Sequence, residues 1–228
     1  MICIWKAAAP AIDLVAPDIY LQGDERYLKV LELYDRPDNV LFVPETTGNA
    51  KYIYEVIKRG IGFSPFGVDP VNGNSQQRNE AVAEEYKVLN PMMRDLAQWA
   101  FEGRIYSVVE MEGRQEASLN LGAWEGIVIW GNSRNPSADK DRPDNGKAML
   151  IQLGENEFMA VGTDCRFTFK PLGKNKGKAW QYITVEEGYY QDGAFTRTRV
   201  LNGDETDWGG PYVGSKPKLL RVVLTARD

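Results

Sequence analysis

The pattern of hydrophobic and polar positions changes period about residue 104 of this chain. Before it, short apolar runs alternate with stretches at helical spacing. Ile12–Tyr20 reads as a buried strand stopped by Pro17. Over Glu25–Tyr34 the apolar positions Tyr27, Leu28, Val30, Leu31 and Leu33 recur at close to helical spacing. Arg36-Pro37-Asp38-Asn39 is a turn, and it leads into Val40-Leu41-Phe42-Val43, which predicts a strand buried on both faces. Pro44 has no N–H to give a ladder, so the strand is expected to end there, with Glu45 at its C-terminal tip. A second helix is expected after Gly48-Asn49, with Tyr52, Ile53, Val56 and Ile57 on its apolar face and Gly60 as its C′ residue. Ile61–Gly67 predicts a third strand, and Asn79–Phe101 a helical stretch broken at Asn90-Pro91.

Three strand–helix units in succession have the rhythm of a parallel sheet or barrel. Tips set side by side would form one concave face lined by Asp18, Tyr20, Glu45, Phe66 and Asp69. In parallel α/β folds catalytic groups collect at that end. The plainer reading makes each proline a strand stop and Glu45 the first solvated residue beyond one.

From Ile105 the chain turns to short alternating strands: Ile105–Met111, Ala117–Leu121, Trp124–Trp130, Lys147–Leu153, Glu157–Val161, Cys165–Phe169, Trp180–Glu186, Ala194–Val200 and Leu219–Ala226. Gly154-Glu155-Asn156 and Gln191-Asp192-Gly193 are hairpin turns between them. Nine such strands predict an antiparallel β-sandwich over residues 104–228, after a partial barrel over residues 1–103. Two loops are polar. Asn132–Asn145 contains Asp139, Asp141 and Asp144, but their spacing does not match a calcium-binding helix–loop–helix, and no metal is expected. Asp204–Gly210 is acidic and carries Trp208, which either touches sugar or sits in a plain connection.

Composition narrows the chemistry. There is no histidine, which removes Ser-His-Asp and Cys-His machinery, HExxH zinc sites and histidine bases. Acid–base work falls to carboxylates, Lys or Tyr. A net charge of −5 with no basic cluster argues against nucleic acid as a partner. Cys3 and Cys165 share no ligand or redox spacing and read as two free thiols. No apolar run reaches membrane-spanning length, and Met1–Lys6 lacks the features of a signal peptide.

Three stretches carry a resemblance: Ala7–Tyr20, Phe42-Val43-Pro44-Glu45, and Ile61–Asp69 with its Gly62-Phe63-Ser64-Pro65-Phe66-Gly67 core. Together they resemble the late strands of the catalytic barrel of bacterial β-galactosidase-like enzymes of glycoside hydrolase family 35. Leu150–Gly154, Val185–Gly188 and Leu201–Thr206 resemble the β-sandwich that follows that barrel. The resemblance implies a (β/α)8 fold of which this chain holds the last three units. It implies retaining hydrolysis of a β-galactoside-like carbohydrate without a cofactor. By that resemblance Glu45 is the nucleophile at the seventh strand's tip and Tyr20 its hydrogen-bonding tyrosine at the sixth. Phe66 resembles an aromatic wall where the clan often has Trp, and Asp18 and Asp69 either hold sugar hydroxyls or merely support the loops. Members of the family are often periplasmic or extracellular.

The family's acid/base carboxyl follows an Asn at the fourth strand's tip, and this chain begins before the sixth. The expectation is therefore a C-terminal portion of a longer enzyme, inactive alone because retention needs two carboxyl groups. The competing expectation is a non-catalytic product whose sandwich binds carbohydrate or a partner. In either case the first strand's bare edge could be buried by a second copy of the chain.

Overall fold

The computed structural model describes residues 2–48, 50–67, 76–131, 142 and 144–227. The chain is a mixed helix-and-sheet protein that divides into two compact units, Met1–Ala83 and Glu84–Asp228. The division falls within a helix, α4 (Gln76–Leu89), rather than after α5 (Met93–Phe101).

In the first unit the order is α1 (Ile2–Ala8), β1 (Asp18–Ile19), α2 (Asp24–Tyr34), β2 (Leu41–Thr46), a 3-10 turn Ala50–Tyr52, α3 (Ile53–Arg59) and β3 (Gly60–Pro65). The strands form a parallel sheet in the order β1-β2-β3. Asp24 and Glu25 place negative charge at the N-terminal end of α2, and Tyr27 and Leu31, one turn apart, are its buried residues. Gly60 is the C-cap of α3, yet its backbone is extended and already opens β3. A Cβ there would stand 2.3 Å from the Leu41 carbonyl oxygen, so close approach of β2, not a left-handed turn, requires glycine.

Two strand boundaries differ from expectation. Only Asp18–Ile19 of the Ile12–Tyr20 run forms ladder, and Pro17 precedes the strand instead of ending it. Ahead of it the buried Asn39 side chain takes over the pairing. Its Oδ1 accepts from the Val15 N–H at 2.8 Å, and its Nδ2 donates to the Val15 and Tyr34 carbonyls, both at 3.0 Å. The second difference is in β2, which continues through Pro44 to Thr46. Val43 pairs with Phe63 and Thr46 with Pro65, so β2 uses one residue more than β3 between those pairs. That extra residue is a bulge, and a bulge tolerates a proline that a regular central ladder would not.

Among the described residues of the second unit, ten strands form two antiparallel sheets. The strands are β4 (Ile105–Val109), β5 (Glu116–Asn120), β6 (Trp124–Trp130), β7 (Lys147–Gln152), β8 (Glu157–Thr163), β9 (Cys165–Pro171), β10 (Ala179–Gln191), β11 (Ala194–Val200), β12 (Tyr212–Val213) and β13 (Lys218–Arg227). One sheet runs β11-β10-β13-β8-β7-β4 and the other β12-β9-β6-β5. A single buried cluster draws Trp124, Val128, Phe167 and Phe169 from the smaller sheet and Leu150, Phe158, Val185 and Val222 from the larger. The two-residue strand β12 was not foreseen, and β10 runs five residues past the expected Glu186.

The β10–β11 hairpin turns on Asp192 (φ 52°) and Gly193 (φ 79°), the pair of left-handed residues that a two-residue hairpin demands. The edge strand β11 presents Arg197 and Arg199, paired with Glu186 and Glu187 on β10, and such charges discourage edge-to-edge pairing. The helices before the first of these strands are tied to the sheets: the buried Glu85 carboxylate meets the buried Lys147 ammonium at 2.8 Å, and the Tyr190 hydroxyl donates to Asp95. That is why this helical stretch falls with the sheets. Most of the polar loop expected over Asn132–Asn145, including Asp139 and Asp141, lies outside the described residues; Asp144 is exposed.

Candidate active site

The bulge in β2 decides where Glu45 points. Side chains along a strand alternate between faces, so Leu41, Val43 and a regular residue 45 would all face the buried side. Leu41 and Val43 are fully buried. The extra residue around Pro44 shifts the alternation by one, and such a slip exchanges the faces. Thr46 takes the buried side, 1% exposed, and Glu45 is turned out onto the other. β1 carries the matching pattern, with Asp18 and Tyr20 exposed and Ile19 buried.

The parallel register sets Asp18 beside Glu45 and Ile19 beside Thr46. Adjacent strands lie about 4.8 Å apart, so Asp18 and Glu45 project side by side from one face. Tyr20, one residue beyond β1, donates its hydroxyl to Glu45 Oε1 at 2.5 Å. This hydrogen bond, helped by the Glu45 and Asp18 charges, pushes the Tyr20 phenol up to about 12. The phenol therefore stays a donor across the ordinary pH range, and it steadies one carboxylate oxygen of Glu45.

On the buried side, Thr46 anchors the strand tip. Its hydroxyl donates to the Ile19 carbonyl at 2.8 Å, which uses its one proton. Tyr27 Oη, 2.9 Å from Thr46 Oγ1, must then be the donor between them. Burial pushes the Tyr27 phenol up to about 12. The Tyr27 ring stacks on Tyr52 with centroids 3.8 Å apart, and the Tyr52 hydroxyl donates to Asp24 at 2.6 Å. Asp24 in turn meets the buried Lys51 ammonium at 2.8 Å. A continuous set of partners thus runs from the start of α2 and the turn before α3 to the residue next to Glu45.

Of the site residues expected from sequence, Tyr20, Glu45 and Asp18 come together. Phe66 follows β3, with its N–H donating to the Thr46 carbonyl at 2.7 Å and its side chain 64% exposed. Asp69 lies outside the described residues. Thr46, Asp24 and Lys51 had not been singled out, and Tyr27 and Tyr52 had been read only as apolar helix positions. The available signal was tyrosine in place of leucine on two apolar faces, since a buried phenol needs a partner for its hydroxyl. Among the described residues no three acidic or cysteine side chains converge in a way that could hold a metal ion, and no helix is long and apolar enough to cross a membrane.

Residues 82–210 match the model of a family described as a domain of unknown function, DUF5597. The chain belongs to the DUF5597 family. The match begins in α4, takes in β4 to β11, and ends at Gly210, before β12 and β13. It therefore describes the second unit and leaves the strand tips bearing Tyr20 and Glu45 outside its span. No curated protein matches the chain.

Proposed function

We propose that this DUF5597 chain carries the nucleophile half of a retaining glycoside hydrolase of the β-galactosidase-like kind. In this reading the parallel sheet is the last three βα units of a (β/α)8 barrel, and the two antiparallel sheets are the β-sandwich that follows it. The observation that carries the proposal is the Tyr20–Glu45 hydrogen bond at adjacent tips of a parallel sheet, on the face opposite the buried Ile19 and Thr46.

Glu45 attacks the anomeric carbon, and the glycosidic C–O bond breaks with its electron pair passing to the leaving oxygen. That oxygen takes a proton from a carboxylic acid on a barrel strand outside this sequence. Water then releases the sugar from Glu45, with the same group acting as base. Tyr20 holds the attacking carboxylate in register, and Asp18 accepts from a sugar hydroxyl beside it. Phe66 completes the sugar's surroundings, and no cofactor takes part.

The test is turnover of an aryl β-galactoside by the polypeptide that supplies the other five βα units. Glu45→Gln is expected to abolish turnover with the fold intact, and Tyr20→Phe to lower kcat. Wild-type rates in Glu45→Gln would overturn the assignment and leave a non-catalytic product.

A further inference from the structure

Thr46 reaches both neighbouring strands. Its hydroxyl donates to the Ile19 carbonyl of β1 at 2.8 Å, and its own carbonyl accepts from the Phe66 N–H, just past β3, at 2.7 Å. Glu45 precedes it in the chain, and Ile19 lies between Asp18 and Tyr20. The ladder joining β1 to β2 pairs only Asp18 and Ile19 with Glu45 and Thr46. So short a ladder holds its tip weakly by backbone bonds alone, and Tyr20 stands one residue beyond it.

The Thr46 hydroxyl is fixed in direction. Its proton is used on Ile19, and Tyr27 Oη donates to it at 2.9 Å from a ring that is itself buried and stacked on Tyr52. Stability alone does not ask for this pair of hydroxyls. Valine and phenylalanine would fill the same two buried places, and exchanging a buried polar pair for apolar groups of one shape is close to neutral. What the hydroxyls add is direction: they set where the Ile19 carbonyl stands, and with it the start of the Tyr20 side chain.

We propose that Thr46, locked by Tyr27, is a positioning residue that holds Tyr20 against Glu45 and ties Phe66 into the same frame. Its kinetic consequence rests on the reading of Glu45 as nucleophile; its geometric consequence does not. A displacement of about 1 Å in an attacking group costs about 100-fold in rate.

Two measurements test this on wild type, Thr46→Val, Thr46→Ser, Tyr27→Phe and the double variant Thr46→Val/Tyr27→Phe. The first follows the ring-carbon resonance of Tyr20 in the whole chain, assigned with Tyr20→Phe. In wild type the hydrogen bond to Glu45 keeps this phenol protonated at pH 10, and Glu45→Gln marks a phenol freed of that charge. Thr46→Val is expected to show Tyr20 ionising by pH 10, and Thr46→Ser, which keeps the hydroxyl, to stay like wild type. The second measurement is kcat and KM for an aryl β-galactoside with the polypeptide that supplies the other βα units. Thr46→Val is expected to lower kcat about 10- to 100-fold with KM changed less than about threefold, and Thr46→Ser to restore most of the rate. In the double variant stability partly returns while kcat stays low, which separates placing a group from holding the fold together.

Tyr27→Phe keeps the Thr46–Ile19 bond, so it should move both readouts the same way by less, and it decides the matter if Thr46→Val does not fold. A Tyr20 phenol still protonated at pH 10 in every folded variant, or a kcat that recovers with stability in the double variant, would overturn the proposal. Wild-type turnover in Glu45→Gln would instead sink the nucleophile reading and leave the Tyr20 resonance to decide the positioning role.

Discussion

Replacing Thr46 by Val keeps the shape of a side chain that is 1% exposed and removes the hydroxyl that two buried groups share. The Tyr27 phenol loses its acceptor and the Ile19 carbonyl loses a donor. A buried polar group left without its partner costs about 1–3 kcal/mol, which puts Thr46→Val at about 2–4 kcal/mol. Tyr27→Phe removes one donor and leaves the Thr46–Ile19 bond, for about 1 kcal/mol. In the double variant the stranded phenol is gone and only the carbonyl is left short. Its cost should fall below the sum of the singles by about 1–2 kcal/mol, the coupling of a shared hydrogen bond. Native-state hydrogen exchange at the Phe66 amide, which is bonded to the Thr46 carbonyl, reads this directly. At 1.4 kcal/mol per tenfold, Thr46→Val should speed that exchange about 30- to 1,000-fold. An effect under threefold, or strictly additive singles, would refute the claim that these hydroxyls anchor the strand tip.

Deleting Pro44 should remove the extra residue and leave a regular alternation, with Val43 and Thr46 inward and Glu45 still outward; retention of the first unit's protected amides checks this, and their loss would contradict it. Thiol titration should find Cys3 reactive in the native chain, being exposed, and Cys165 silent until denaturant is added, because burial pushes its thiol up and keeps it protonated. The Tyr20 and Tyr27 phenols are raised from 10.0 to about 12, so the folded chain holds protons that the unfolded chain releases in that window. Their contribution to stability is fully present below pH 10 and is lost as pH rises toward 12. The urea midpoint should fall across that range, and less steeply in Tyr20→Phe.

Much of the architecture was legible because it rests on local pattern. Helical spacing over Glu25–Tyr34 gave α2, and the period-two run Arg166-Phe167-Thr168-Phe169 gave β9. The Asp192-Gly193 turn gave the β10–β11 hairpin. Asn90-Pro91 marked the break between α4 and α5, where a 3-10 turn now stands. The failures share a cause, which is a long-range partner overriding a local rule. Pro17 and Pro44 were read as strand stops, but Asn39 supplies the pairing ahead of one and the register against β3 absorbs the other. β12 has two residues and pairs only with β9, too little to leave a period. Tyr20 and Glu45 were visible because they lie just past apolar runs. Thr46 was not, because its importance comes from the face it occupies, and a bulge sets that face.

The central claim is that Glu45 is a nucleophile, and covalent trapping tests it most directly. A fluorinated galactoside with a dinitrophenolate leaving group needs no acid to expel it, so only the attacking carboxylate is put to the test. After incubation with the polypeptide that supplies the remaining barrel units, the chain should gain the mass of one fluoroglycosyl group. Peptide mapping should place it on Glu45, and Glu45→Gln should gain nothing. A chain that stays unlabelled, or carries its label elsewhere, would contradict the account.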